Sequence, residues 1–349
     1  MPVGVLTGQQ FQGPNSTPDP VYILFEDFTH VKFYRLSLRE SVELHDGHFD
    51  DGFHHVDHWM PQRLVTANGP NPPAAMTSRP ADGRAFVGQD THMLVRLIRN
   101  ATLRLRYGGS DLLIDPMLSV RRAIRAMGDS TERNPTVDLP CPIEEVIGGA
   151  EAVVVSHLHP DHSDEAAFGV VPRDLPVYCQ PGDGERLAAA GFDVTELEGP
   201  VTFRDVEILP VDGRHGSGPI LARMGSVLGL VLRSPGEPTL YWSGDTVLCD
   251  PVRDVISTTH PDVIITHSGG ARAGGTTILM DVADTLEVAR LAPKATVVAV
   301  HLEAVAHAPV TRSELRSAAD AAGIDPDRLV IPDDGDTLTF SSLIGTSSR

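Results

Sequence analysis

A histidine-rich passage directly after an apolar run constrains this chain more than any other feature. Residues 152–156 read Ala-Val-Val-Val-Ser, a β-branched run that predicts a strand buried on both faces. The passage His157-Leu-His-Pro-Asp-His162 follows at once. Residues i and i+2 of an extended segment point the same way, so His157 and His159 are placed to hold one metal ion together. The last two residues of the passage follow as the chain turns, and they can address a second ion.

Three further ligand-type residues stand where later apolar runs end. His215, Asp245 and His301 each follow a strand-like segment. Functional residues are commonly carried on the connections that follow regular elements. Imidazole nitrogen and carboxylate oxygen suit zinc, with manganese and iron as alternatives. Together with the first passage, these residues predict a metal centre assembled from distant parts of the chain.

The order of these ligand-type residues resembles that of the metallo-β-lactamase-fold hydrolase superfamily. The set comprises His157, His159, Asp161, His162, His215, Asp245 and His301. The segments 98–105 and 113–117 resemble the first motif of that superfamily, whose aspartate is matched by Asp115. The resemblance covers residues 93–340 and is closest to the branch that contains ascorbate-6-phosphate lactonase.

This resemblance implies an α/β fold, a four-layered αβ/βα sandwich with the site at one edge of its two sheets. It also implies two divalent metal ions, of which Zn²⁺ fits best and Mn²⁺ or Fe²⁺ are alternatives. His157, His159 and His215 would hold the first ion. Asp161, His162 and His301 would hold the second, and Asp245 would bridge the pair. We expect Asp161 to be catalytic as well as metal-binding.

A pair of divalent ions lowers the pKa of a water between them, so that hydroxide is available near neutral pH. We therefore expect a metal-dependent hydrolase that attacks a small, soluble ester, lactone or phosphoester. His267, at another strand end, is a candidate proton donor to the leaving group or else a structural histidine. Asp115 is either a partner that orients a ligand or a turn former.

Several other residues near these motifs have two interpretations each. Glu303 and His307 either support His301 or pack a turn, and Cys249 is expected to be an inert buried thiol. Arg214 and Arg223 either recognise an anionic substrate by forked hydrogen bonds or are solvated surface residues.

Three alternative functions use the same residue set. A mononuclear iron dioxygenase keeps the histidines, whereas diiron oxygen-reducing relatives typically carry glutamate where this chain has His159. A nuclease or phosphodiesterase needs a basic docking surface. A scaffold without catalysis is disfavoured because all seven ligand-type residues are present.

Composition narrows the partners and the compartment. The net charge of −19 disfavours nucleic acid as a partner. The three cysteines show no C-x-x-C spacing, which argues against a disulfide framework. No apolar run approaches the length of a membrane span, and the N-terminus lacks a signal-peptide pattern. We expect a cytoplasmic protein without membrane association, and the sequence leaves its oligomeric state open.

Composition changes near residue 75. Residues 1–75 hold nine of the 18 aromatic residues and end in the breaker-rich segment 68–75. We expect residues 1–75 to be an irregular extension and 76–349 the hydrolase domain. The histidine-rich stretch 44–58 is interpreted as a loosely packed acidic extension, with metal binding as the alternative. Met76 is a candidate true start of the native chain.

Apolar periodicity predicts strands alternating with helices in the second half of the chain. The predicted strands include residues 94–107 (one or two strands), 112–116, 201–211, 227–233, 239–243, 263–266, 296–300 and 329–331. The predicted helices are residues 186–190, 282–291 and 312–322.

Overall fold

The computed structural model describes residues 92–341 in full and, before them, two strands. The chain divides into two units, Met1–Ala81 and Asp82–Arg349. In the first unit, β1 (Val21–Asp27) pairs antiparallel with β2 (His30–Leu36). The sequence predicted irregular structure here, but β-branched and aromatic residues in both segments favour strands. The stretch 44–58 and the candidate start at Met76 lie outside the described residues, and the predicted boundary at residue 75 stays a prediction.

The second unit contains two seven-stranded mixed sheets. The first sheet has the order β18-β3-β4-β5-β6-β7-β8 and is antiparallel from β18 to β5 and parallel from β5 to β8. Its strands are β3 (His92–Arg99), β4 (Thr102–Tyr107), β5 (Ser110–Ile114), β6 (Ala152–Val155), β7 (Pro176–Cys179), β8 (Asp193–Glu196) and β18 (Thr337–Ser341).

The second sheet has the order β17-β16-β13-β12-β11-β10-β9, with parallel pairing from β12 to β17. Its strands are β9 (Val201–Phe203), β10 (Val206–Asp212), β11 (Leu228–Arg233), β12 (Leu240–Trp242), β13 (Val263–His267), β16 (Thr296–Val300) and β17 (Leu329–Val330). A separate hairpin is formed by β14 (Arg272–Ala273) and β15 (Thr276–Thr277).

Seven α-helices and one 3₁₀ turn (Gly218–Ile220) complete the part of the chain described from residue 92 onward. Among these residues, no helix combines the length and apolarity that a membrane span requires. The helices are α1 (Ile143–Ile147), α2 (Glu165–Val170), α3 (Gly184–Ala189), α4 (Leu221–Met224), α5 (Asp250–Thr259), α6 (Val282–Leu291) and α7 (Arg312–Ala321). Side chains of Asp164, Asp281 and Thr311 cap α2, α6 and α7 by accepting backbone N–H bonds.

Alternation along the strands builds the layers. On β13, Val263 and Ile265 point into an apolar core between the two sheets, which residues of both sheets share. Ile264 points the other way, into a second core that packs the second sheet against α5, α6 and α7. A third core packs the first sheet against α1, α2 and α3. The predicted four-layered αβ/βα sandwich is confirmed.

A buried arginine fixes the long connection after β5. Arg99 is fully buried, and its guanidinium donates to the backbone carbonyls of Met117, Ser119 and Val137 at 2.8, 2.9 and 3.1 Å. The Asp164 carboxylate accepts the Ser119 N–H at 2.7 Å. These bonds tie both ends of the loop that runs beside the strand ends, so the loop has a defined course.

Candidate metal centre

The predicted ligands converge where strands of both sheets end. Asp115 follows β5, and residues 156–162 follow β6. Parallel strands that end together place their following residues at one edge of a sheet, where sites form in α/β proteins. In the second sheet, β10, β12, β13 and β16 end at the same place. The residues at these ends include, in that order, His215, Asp245, His267 and His301.

Three histidines form the first group of metal-ligand atoms. His157 Nε2 lies 2.8 Å from His159 Nδ1, which in turn lies 3.3 Å from His215 Nε2. One nitrogen of each ring therefore faces a common point. His157 and His215 are buried, whereas His159 is half-buried and lies nearer the opening.

The other nitrogen of each buried ring in this group is held from behind. The Ser156 hydroxyl lies 2.9 Å from His157 Nδ1 and donates to Asp115 Oδ2 at 2.7 Å. His215 Nδ1 lies 2.8 Å from the carbonyl of Ile278, which can only accept a proton. His157 and His215 thus carry their protons on Nδ1 and present Nε2, the arrangement that metal-binding histidines require.

Asp161, His162 and His301, the predicted ligands of the second ion, make up the second group. The ligand atoms of His162 and His301 cluster with those of Asp245 and His267, and Asp161 approaches this cluster through His301 and His162. His301 Nε2 lies 3.4 Å from Asp161 Oδ2, and His162 Nδ1 lies 2.7 Å from Asp115. Within the described residues, the buried atoms His162 Nε2 and His301 Nε2 have no hydrogen-bond partner. Unpaired buried nitrogen atoms are costly, and these two lie 3.1 and 3.4 Å from the carboxylate oxygens of Asp245 and Asp161 without a hydrogen bond to them, so the residues fit a second metal ion.

Asp245 stands between the two groups. Its Oδ2 lies 3.9 Å from His157 Nε2, 3.4 Å from His215 Nε2 and 3.1 Å from His162 Nε2. His301 Nε2 lies 3.9 Å from the other oxygen, Oδ1. The carboxylate can therefore contact ions held by either group, as a bridging ligand does.

The charges of the site also fit bound cations. Burial works to raise the pKa values of Asp161 and Asp245, but nearby imidazoles, His162 foremost, hold both well below the usual value. Burial lowers the pKa of His215 to about 4, so this ring is neutral and able to coordinate metal. Burial disfavours the charged form of His162 and so lowers its pKa. Three buried carboxylates, of which Asp245 has the largest effect, outweigh burial and raise this pKa well above the usual value. This excess of negative charge is what metal cations would neutralise.

The structure gives His267 a different environment from the one predicted. The ring is fully buried, its Nδ1 lies 2.6 Å from Asp245 Oδ1, and its Nε2 accepts a hydrogen bond from Trp242 Nε1 at 3.0 Å. Both nitrogens are engaged within the protein. The predicted role as proton donor to a leaving group does not fit this arrangement.

Sequence reasoning did not single out Asn100, which links the two halves of the second group. Its side-chain amide donates to the backbone carbonyl of Asp161 at 3.0 Å. The backbone carbonyl of Asn100 accepts the backbone N–H of His301 at 3.0 Å. Asn100 and His301 both have φ near +60°, a conformation that non-glycine residues rarely adopt. Gly269 permits this close packing, because a Cβ there would lie 2.2 Å from the His301 carbonyl oxygen. The signal was available, since asparagine tolerates positive φ better than most residues.

Two residues that the sequence placed beside His301 differ in position. His307 Nε2 lies 3.7 Å from Asp161 Oδ2, and its ring is 9% exposed at the edge of the site. Glu303 instead pairs with Arg312 at the start of α7, with a distance of 2.6 Å. His307 therefore belongs to the site, whereas Glu303 anchors a helix.

The remaining candidates lie outside the ligand cluster. Cys249 is buried, and its sulfur lies 3.6 Å from Thr246 Oγ1. Arg214 and Arg223 are both exposed. The predicted substrate contact of these arginines stays a prediction.

A family model of the beta-lactamase superfamily domain matches residues 111–302, more than half of the chain. This chain belongs to the metallo-β-lactamase superfamily. The crystal structure of a possible metal-dependent hydrolase from Veillonella parvula shares the fold. That protein is 30% identical with a TM-score of 0.69, and the match covers 72% of this chain and 100% of that one. The resemblance to the superfamily that the ligand residues suggested is confirmed.

Relatives of the UPF0173 group add the enzyme class. UPF0173 protein YddR of Bacillus subtilis is 35% identical over 255 residues, which cover 71% of this chain and 100% of that relative. A UPF0173 metal-dependent hydrolase of Azorhizobium caulinodans is 27% identical over 51% of this chain and 73% of that relative. The protein is a metal-dependent hydrolase. None of the relatives described here is named a lactonase, so the closer likeness to ascorbate-6-phosphate lactonase stays a prediction.

One solved structure among the relatives has a named substrate class. The isothiocyanate hydrolase from Delia radicum gut bacteria is 36% identical to this chain with a TM-score of 0.68. The match covers 71% of this chain and 100% of that protein.

Proposed function

We propose that this superfamily member hydrolyses a small, soluble ester, lactone or phosphoester with two divalent ions, Zn²⁺ being the best fit to the ligands. The observation that carries the proposal is the convergence of the seven predicted ligand side chains. Six of them fall in two clusters of ligand atoms, and Asp161 lies 3.4 Å from His301. Within the described residues, the buried atoms His162 Nε2 and His301 Nε2 have no hydrogen-bond partner. When bound, the ions would supply a hydroxide nucleophile at neutral pH and polarise the oxygen under attack.

The residues of the chain have distinct tasks in this proposal. His157, His159 and His215 would hold one ion, and Asp161, His162 and His301 the other. Asp245 lies within 4 Å of nitrogen atoms of both groups and would bridge them. Asp161 is proposed to be catalytic because it also stands 3.7 Å from His307, at the edge where a substrate would enter.

His307 replaces His267 as the imidazole proposed to contact substrate. Within the described residues its buried Nδ1 has no hydrogen-bond partner, and burial lowers the pKa of the ring, so it is neutral at pH 7. A neutral imidazole can donate one hydrogen bond and accept another. An anionic substrate could in addition be met by Arg214 or Arg223, both of which are exposed.

A second substrate class is favoured by one specific observation, the 36% identity to an isothiocyanate hydrolase over its full length. Hydroxide would attack the central carbon of the N=C=S group, and the carbon–nitrogen bond would then break. Water supplies both protons of the amine product, and carbonyl sulfide is the other product. The same metal-activated hydroxide would serve this reaction.

The proposal extends to the cell compartment and to the alternatives. All three cysteines are free thiols, which supports a cytoplasmic protein. A nuclease is disfavoured by the net charge of −19. A mononuclear iron dioxygenase would contain about one iron per chain, so metal analysis separates it from the hydrolase.

A substrate screen with the metal-loaded protein tests the function. The panel contains an aryl ester, a lactone, a phosphodiester and an alkyl isothiocyanate, each assayed for wild type and for His159→Ala. We expect hydrolysis of at least one class, lost on chelation and reduced in the variant. Activity that survives both treatments would contradict the proposal.

A further inference from the structure

A chain of two hydrogen bonds runs from the apolar core to Asp245. Trp242 Nε1 donates to His267 Nε2 at 3.0 Å, and His267 Nδ1 lies 2.6 Å from Asp245 Oδ1. All three side chains are almost fully buried. Trp242 packs in the core between the sheets, while its neighbour Tyr241 points to the opposite face. Trp242 and His267 therefore approach the metal centre from the apolar core between the sheets.

The direction of these bonds fixes the tautomer of His267. An indole nitrogen can only donate, so Nε2 of His267 must be the acceptor and carries no proton. In a neutral imidazole the proton then resides on Nδ1, which donates to Asp245 Oδ1. An Nδ1 that carries a proton cannot coordinate a metal. This separates His267 from His162 and His301, although its ring lies in the same cluster.

The same bond orients the Asp245 carboxylate. Oδ1 accepts the bond from His267 and lies 3.9 Å from His301 Nε2, whereas Oδ2 faces His162 Nε2 at 3.1 Å and His215 Nε2 at 3.4 Å. These two histidines belong to different ligand groups. A carboxylate free to rotate would present its oxygens to the two groups in several ways, and the bond from His267 selects one.

We infer that His267 is a positioning residue. Trp242 locks it in one tautomer, and His267 in turn holds Asp245 so that Oδ2 faces both ligand groups. The inference rests on the proposed metal centre and deepens it. It gives the strand pair β12–β13 a task that is separate from that of the metal ligands. His267 contacts no reacting atom in this account and acts through Asp245.

The test measures metal affinity and geometry rather than turnover. Zinc dissociation constants are obtained by competition with a chromophoric chelator, and the visible spectrum of the cobalt-substituted protein reports on coordination. We expect His267→Leu to weaken binding of the more weakly held ion about 10- to 100-fold, the usual effect of losing a residue that orients a ligand. His267→Asn should stay near wild type, because its amide nitrogen can replace Nδ1 as the donor to Asp245.

Trp242→Phe distinguishes the hydrogen bond that fixes the His267 tautomer from the packing of the aromatic ring. Without the indole N–H, His267 can place its proton on Nε2 and lose its bond to Asp245, so affinity should fall in this variant. In the His267→Asn background the same substitution should have no further effect on affinity. Tyr241→Phe is the matched control, since it removes a buried aromatic polar atom that faces away from the site. Thermal unfolding of each metal-free variant shows whether the fold is intact.

The outcomes distinguish this inference from the proposed function. If His267→Asn loses metal as His267→Leu does, with Trp242→Phe unchanged, His267 is itself a ligand and the inference is wrong. If all variants bind like wild type, the inference is also wrong while the metal centre stands. If the wild-type protein binds no divalent ions, the proposed function fails first.

Discussion

Three buried imidazoles of the ligand set are oriented through the ring nitrogen that points away from the centre. A serine hydroxyl holds His157, the Asp115 carboxylate holds His162, and a backbone carbonyl holds His215. These bonds aim the opposite nitrogen of each ring at the centre. Preorganisation of this kind raises affinity because little side-chain freedom is lost on binding.

Ser156→Ala tests this orientation at a single residue. The substitution removes the hydroxyl between Asp115 and His157, and we expect metal affinity to fall about 10- to 100-fold with the fold retained. Ser163→Ala is the control, because that buried hydroxyl has no hydrogen-bond partner within the described residues. Chelator competition measures both. Equal affinity for the two variants would show that the hydroxyl does not orient the ligands.

The ligands could be predicted from the sequence, whereas most of their supports could not. Metal chemistry restricts ligands to a few residue types, so His157 and Asp245 are conspicuous after apolar runs. Ser156 and Trp242 are ordinary residues, and their tasks depend on which strands lie side by side. His267 was a candidate proton donor because a catalytic acid is also commonly carried at the end of a strand. Only the pairing of β12 with β13 shows that both of its nitrogens are taken.

Strands and helices were predictable where the apolar pattern had one explanation. The helix at residues 282–291 and the strand at residues 296–300 occur with the predicted bounds. Helix α5 was missed, although Val252, Val255 and Ile256 follow the i, i+3, i+4 pattern and a proline stands in its first turn. The β-branched residues of this segment, which favour strands over helices, concealed it. The hairpin β14–β15 has two residues in each strand, too few for any period to be seen.

Arg99 determines the course of the loop between β5 and α1. Arg99→Leu tests how much this residue contributes to the free energy of unfolding. The substitution leaves three carbonyls without their donor, so we expect the free energy of unfolding to fall by about 3 kcal/mol. Urea denaturation measures the change. Arg96→Leu on the same strand loses a partly exposed pair with Glu145 and should cost less than about 1 kcal/mol. Equal effects of the two substitutions would refute the structural role of Arg99.

Two sheets that face each other across one core bring strand ends from residues 115 to 301 into one site. Burying three carboxylates there disfavours the metal-free fold, since charges removed from water require compensation. The metal-loaded protein is therefore expected to be more stable than the metal-free one. The superfamily resemblance predicted this architecture, because residue patterns alone do not tell which sheets face each other.

Chelation tests this coupling between metal and fold. An ion present at about 100 times its dissociation constant stabilises the folded state by about 2.7 kcal/mol. For a domain of this size the Tm of the zinc-loaded protein should lie about 5–10 °C above that of the chelated protein. Calorimetry with added EDTA, and with zinc restored afterwards, measures the shift. A Tm that changes neither with EDTA nor with restored zinc would contradict a contribution of the metal to stability.

Metal stoichiometry tests the central claim most directly, namely that residues far apart in the chain hold two divalent ions in two adjoining groups. Mass-spectrometric metal analysis is made on the wild-type protein, His215→Ala and His301→Ala. We predict about two divalent ions per chain in the wild type and about one in each variant, because each substitution removes a ligand from one group. Two ions retained in both variants, or a single iron in the wild type, would contradict the account.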